Sequence, residues 1–187
     1  MPPLLRSPSV GSRAYAIALA VLLGAGAAGC AGGGAATTTT RAPLPAGSRP
    51  SGIALMVCSE EAQSEMASAL GERATVSTPT WEDHRYSCTY AYPTGSFGMS
   101  VKELSSWSET LAYYDSLAQH LGKSRDLENL GQGAFQTSDG SVVVRKDWKV
   151  LLVDASGLPA QFGVPASSSQ SAAVTVADVI LGCWAGD

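Results

Sequence analysis

Residues 52–187 predict a single α+β domain: a mostly antiparallel sheet of about five strands with about three helices, in the order α-β-β-α-β-β-β-α. Three observations carry this prediction. Apolar residues recur at helical spacing in three segments, they alternate with polar residues in several others, and turn signals rather than helical crossovers join the alternating segments. Hairpins make neighbouring strands antiparallel and leave the helices to cover a face of the sheet. The length suits one core and not two.

The first helix begins after Ser59, whose hydroxyl suits an N-cap, with Glu60 and Glu61 at the positive end of the helix dipole. Gly71 suits its C-terminal stop, and Ala62, Met66, Ala69 and Leu70 form the stripe expected to face inward. A loop is expected from Thr75 to Arg85. Tyr86, Cys88, Tyr90 and Tyr92 then alternate with Ser87, Thr89 and Ala91, which is strand periodicity. Pro93-Thr94-Gly95 turns the chain into a second strand in which Phe97, Met99 and Val101 alternate with Gly98, Ser100 and Lys102, and the aromatic side should lie on the core.

A second helix carries the stripe Trp107, Leu111, Tyr114, Ala118 and Leu121 and ends at Gly122. Three strands follow at Ala134–Thr137, Val142–Arg145 and Val150–Asp154. Asp139-Gly140 makes a tight turn between the first two, and Lys146-Asp147-Trp148 closes the next hairpin. Gly157, Pro159, Gly163 and Pro165 interrupt regular structure before a last helix from about Ser169, with Ala173, Val176, Ala177 and Ile180 facing inward.

Ahead of this domain the chain has the parts of an export signal, expected to span residues 1–29. Arg6 and Arg13 precede an apolar run from Ala14 to Leu23, and Ala27-Ala28-Gly29 leads to Cys30. Small residues let an extended backbone enter a peptidase groove, and the thiol that follows can become a thioether with diacylglycerol. This run resembles the lipobox of bacterial lipoproteins with Cys30 at the modified position, although Ala27 stands where leucine is commoner. An uncleaved span is disfavoured, because Ala14 to Ala28 falls short of the ~20 apolar residues that cross a bilayer. Residues 30–51 read as the lipidated cysteine and a flexible linker: they hold Gly32-Gly33-Gly34, Thr37 to Thr40, Pro43, Pro45 and Pro50.

Removing the signal takes Arg6 and Arg13 from the 12 basic residues and leaves 10 against 16 acidic ones, a net charge of −6. That surface offers no footprint for nucleic acid and is repelled by anionic headgroups, so the lipid must be what holds the protein to the membrane. The expected location is the extracytoplasmic face of the cell membrane.

The segments Val57-Cys58-Ser59-Glu60-Glu61, Tyr86-Ser87-Cys88-Thr89-Tyr90, Gly131-Gln132-Gly133-Ala134-Phe135 and Val142 to Val153 look like the small exported lipoproteins of actinobacteria that have no assigned activity. The resemblance spans essentially the whole mature domain. It implies anchoring outside the cytoplasmic membrane and envelope partners, and it brings no catalytic residues.

With Cys30 acylated, Cys58, Cys88 and Cys183 remain, an odd number for an oxidising compartment. Cys58 starts the first helix and Cys88 lies in the strand expected beneath it, which favours that disulfide. The sequence leaves a bridge from Cys183 to either of them open. No cofactor and no metal are expected: there is no Cys-x-x-Cys, and His84 and His120 lack ligand spacing.

No catalytic motif is present. Gly-x-Ser-x-Gly is missing, and the residues three before Lys102, Lys123, Lys146 and Lys149 are Met99, His120, Val143 and Lys146, so Ser-x-x-Lys is missing too. Gly131-x-Gly133 lacks a third glycine and precedes a strand, which makes it a turn. Glu60-Glu61 and Glu82-Asp83 are adjacent acids without the cleft that a glycosidase requires. Two clusters join aromatic and charged residues as candidates for recognition: Trp81 to Arg85, with Trp81 and Arg85 at its ends, and Arg145 to Lys149, with Arg145, Lys146 and Trp148. The expected function is a non-enzymatic envelope domain that binds a protein, glycan or lipid. The alternative is a hydrolase acting on the cell wall.

Overall fold

The computed structural model describes residues 42–184. The signal segment 1–29, Cys30 and linker residues 31–41 lie outside the described residues, as do the last three residues of the domain expected to end at Asp187. The first half contains α1 (Gly52–Met56), α2 (Glu60–Leu70), β1 (Thr75–Val76), β2 (Thr80–Glu82), β3 (Arg85–Tyr92), β4 (Gly95–Glu103) and α3 (Trp107–His120). The second half contains β5 (Lys123–Leu127), β6 (Gly133–Thr137), β7 (Val142–Lys146), β8 (Lys149–Asp154), β9 (Gln161–Phe162), β10 (Ser167–Ser168) and α4 (Ser169–Cys183).

The fold is α+β, and every strand pairing among the described residues is antiparallel. One eight-stranded sheet runs β1-β3-β4-β8-β7-β6-β5, with β2 also paired to β3; β9 and β10 form a separate ribbon. The long elements follow the expected order, but about five strands and three helices understate the content: the structure has ten strands and four helices in these residues. The additions are short or lack a pattern. β5 is an edge strand exposed along Lys123-Ser124-Arg125-Asp126, so it shows no apolar alternation. β1 and β2 lie in the stretch expected to be a loop, and α1 spans only five residues beginning with a glycine.

Local chemistry explains the helix ends. The Ser59 hydroxyl accepts from Ala62 N at 3.2 Å, and Gly71 closes α2 at φ +69°. Ala62, Met66 and Leu70 are buried as expected; Ala69 is exposed. On α3, Tyr114 and Ala118 of the expected stripe pack on the sheet together with Tyr113 and Leu117, whereas Trp107 and Leu121, at the two ends of the stripe, are exposed. All four expected positions of α4 are buried.

The sheet is covered on both sides. One face places Tyr90, Phe97, Met99, Val101, Leu151 and Val153 against α1, α2 and α4. The other places Phe135, Val143 and Val150 beneath α3. Because α3 sits over β6, β7 and β8, the outward residues Ser87, Thr89, Gly98 and Ser100 of β3 and β4 fall outside its footprint. That geometry creates the candidate site.

Candidate functional site

Strand register sets three rows of side chains on the face beside α3. Arg85, Lys102 and Val150 form the first row, Ser87, Ser100 and Leu152 the second, and Thr89, Gly98 and Asp154 the third. β2 adds Thr80 opposite Ser87, with the two hydroxyl oxygens 3.0 Å apart. Ser77 continues this wall: its amide donates to Thr89 O at 3.0 Å, and its hydroxyl accepts from Thr89 N at 2.9 Å. Apart from Lys102 and Val150, these residues line an open groove of about 310 Å³. Period-two alternation thus gives β3 and β4 an aromatic face for the core and a hydroxyl face for the groove.

Each end of the groove carries charge. Arg85 is exposed at one end, and beside it Lys102 Nζ donates to Asp83 Oδ2 at 2.7 Å. That hydrogen bond, with the positive charges of Lys102, His84 and Arg85, holds the Asp83 carboxyl below its ordinary pKa, outweighing a small desolvation effect. Lys102 Nζ also lies 5.8 Å from the centroid of the Tyr113 ring. At the other end, Asp154 Oδ1 accepts from Ser156 N at 3.1 Å and Ser156 Oγ at 2.6 Å, which fixes the carboxylate. The third row is low at Gly98, which has no side chain.

The structure separates the residues of the two clusters read from the sequence. Trp81 and Arg85 take opposite sides of the β2–β3 pair, since Trp81 faces Tyr86 in register while Glu82 faces Arg85. Only Arg85 reaches the groove. Trp81 Nε1 instead donates to Ser48 O at 3.1 Å. Arg145 lies under the start of α3, its guanidinium carbon 4.4 Å from the Trp107 ring centroid and 5.6 Å from that of Tyr114. Lys146 points to the opposite face and donates to Trp184 O at 3.0 Å, at the C-terminus of α4. Trp148 is half-buried in the β7–β8 turn, and its carbonyl accepts from Leu104 N at 2.9 Å. These last three residues join elements of the fold.

Sequence reasoning missed Ser87, Thr89, Gly98, Ser100 and Asp154 as a group. The signal was present in the outward positions of the predicted hairpin, which are small and hydroxylated where a purely solvated face usually carries long charged side chains.

Cys58 and Cys88 form the expected pair, with 2.13 Å between sulfurs and 6.1 Å between Cα atoms. Cys183 is half-buried and has no disulfide partner among the described residues; burial, followed by the charges of Glu61 and Glu65, pushes its thiol pKa up. Among the described residues no group of three His, Cys, Asp or Glu side chains is placed to hold a metal ion, and no helix is long and apolar enough to cross a membrane. No family model matches the chain, and neither a curated protein nor a solved structure matches it.

Proposed function

We propose that this protein is a lipid-anchored envelope domain, held through Cys30, that binds a glycan in the groove over β3 and β4. The observation that carries the binding half of this reading is the hydroxyl-lined groove of about 310 Å³ with a guanidinium at one end and a fixed carboxylate at the other. Ser77, Thr80, Ser87, Thr89 and Ser100 offer donors and acceptors suited to a polyhydroxylated ligand, whereas a lipid tail would require an apolar lining. A sugar would exchange hydrogen bonds to water for hydrogen bonds to these hydroxyls, with Gly98 allowing close approach of its ring. The anchoring half is supported by the run into Cys30 and by an acidic chain that has no electrostatic means of holding an anionic bilayer.

Gly98→Val tests the groove. A Cβ at Gly98 meets only Asp154 Cβ, at 3.5 Å, and a β-branched residue suits a strand, so the fold should tolerate the change while the groove floor rises. Solubilised peptidoglycan fragments should shift the amide resonances of residues 87, 89, 98 and 100 in the wild type and leave them unmoved in Gly98→Val. Wild-type resonances that do not respond would overturn the glycan reading. Anchoring has its own test: Cys30→Ser should abolish incorporation of labelled fatty acid, and unchanged labelling would refute it.

A further inference from the structure

The chain entering the domain is held by side chains far along the sequence. Ala46 N donates to Leu104 O at 3.1 Å, His84 Nδ1 lies 2.9 Å from Gly47 O, and Trp81 Nε1 donates to Ser48 O at 3.1 Å. A carbonyl only accepts, so His84 Nδ1 is the donor in this contact. Ser51 then donates from its amide to Glu103 Oε1 at 3.1 Å, and its hydroxyl bonds the same oxygen. Glu103 is buried, and its own amide donates to His84 O at 2.8 Å, which ties the two gripping elements to each other. Four of the six residues from Ala46 to Ser51 are therefore bonded to the folded core.

We infer that Trp81 and His84 form a clasp that makes Ala46–Ser51 an integral part of the folded domain. The Trp81 to Arg85 cluster, which the sequence offered as a partner-binding surface, is directed in part toward the protein's own chain. His84 can face Gly47 because the two-residue turn at Asp83 and His84 adopts positive φ at both positions, 49° and 53°. Lys102 steadies the same turn through Asp83, so the clasp and the Arg85 end of the groove share one structural corner.

Amide exchange on the full chain in detergent micelles tests the clasp without reference to Cys30, so failure here and failure of the lipid anchor are distinguishable. The Ala46 amide and the Trp81 indole N–H should be protected in the wild type. In a Trp81→Phe, His84→Ala double variant the Ala46 amide should exchange roughly thirtyfold faster, the size expected for losing two ordinary hydrogen bonds, while Met99 and Val153 amides in the core keep their rates. Exchange of Ala46 at the free-peptide rate in the wild type would overturn the inference. So would an unchanged Ala46 rate in the double variant. The wild-type indole measurement reads the clasp even if the variant folds poorly.

Discussion

The phenol of Tyr90 donates a 2.8 Å hydrogen bond to the carbonyl of Val57, the residue that caps α1 and immediately precedes Cys58. Both partners are fully buried. Two residues before Tyr90 on the same strand face, Cys88 is bonded to Cys58. A covalent link and a hydrogen bond therefore tie β3 to the junction of α1 and α2, and Tyr90 adds a stacked ring contact to Phe97 at 4.9 Å.

Removing the disulfide should cost more than removing the hydrogen bond. The cysteines are 30 residues apart, and closing a loop of that size stabilises the folded state by roughly 3 to 4 kcal/mol in the chain-entropy view. A Cys58→Ser, Cys88→Ser variant should lower the urea midpoint accordingly. Tyr90→Phe leaves Val57 O buried without this donor and should cost about 1 to 3 kcal/mol. Equilibrium unfolding of both variants checks the order. A double-serine variant as stable as the wild type would show that the bridge constrains little.

The same tyrosines predict an alkaline limit. Burial, with the charges of neighbouring tyrosines second, pushes the Tyr90 phenol far above its ordinary value; burial, with Glu72 second, pushes Tyr92 up to about 12. In the unfolded chain both return to the ordinary value near 10. A folded pKa raised above the unfolded one means that the contribution to stability is complete below about pH 10 and is lost as pH rises through the folded value. Urea midpoints should hold up to about pH 10 and fall by pH 12. Tyr92→Phe should flatten that fall while keeping the ring against Phe162, which it meets edge-on at 4.8 Å. A slope unchanged in Tyr92→Phe would assign the alkaline limit to other groups.

Legibility in the sequence followed the strength of the local pattern. Ser59, Gly71 and the spacing of Ala62 and Met66 marked α2 because capping and burial act on the same few residues. The β3–β4 hairpin was legible because apolar residues, aromatic on β3 and mostly aliphatic on β4, alternate with polar or small ones on both strands. Edge strand β5 was not, since it has no apolar alternation and the bonds that Ser124 and Arg125 make to Gln136 on β6 leave no local signature. The candidate groove was half legible. Its hydroxyl residues could be placed outward on one hairpin, but its open state depends on α3 covering β6 to β8 and stopping short of β3, a tertiary choice with no local signature. The role of Arg145 was not legible either, because aromatic and charged neighbours in sequence suit an exposed interface and an internal stack such as that of Arg145 with Trp107 equally well.

That internal stack supports the last prediction. Trp107, 44 % exposed, lies over the Arg145 guanidinium, whose Nη2 donates to Gln132 O at 2.6 Å. The buried Nε and Nη1 have no hydrogen-bond partner among the described residues, so the aromatic rings are the main compensation for their desolvation. A double-mutant cycle of Trp107→Ala and Arg145→Met should therefore give a coupling of about 0.5 to 1 kcal/mol in unfolding free energy. Arg145→Met alone should cost less than Trp107→Ala, because methionine keeps the apolar stem and removes two unsatisfied donors. Gly133 supplies an independent check: a Cβ there would stand 2.8 Å from Arg145 Nη2. Gly133→Ala should destabilise the wild type by displacing the guanidinium, and it should cost less in the Arg145→Met background. Additive effects at all three positions would show that the cation and the rings are neighbours without being partners.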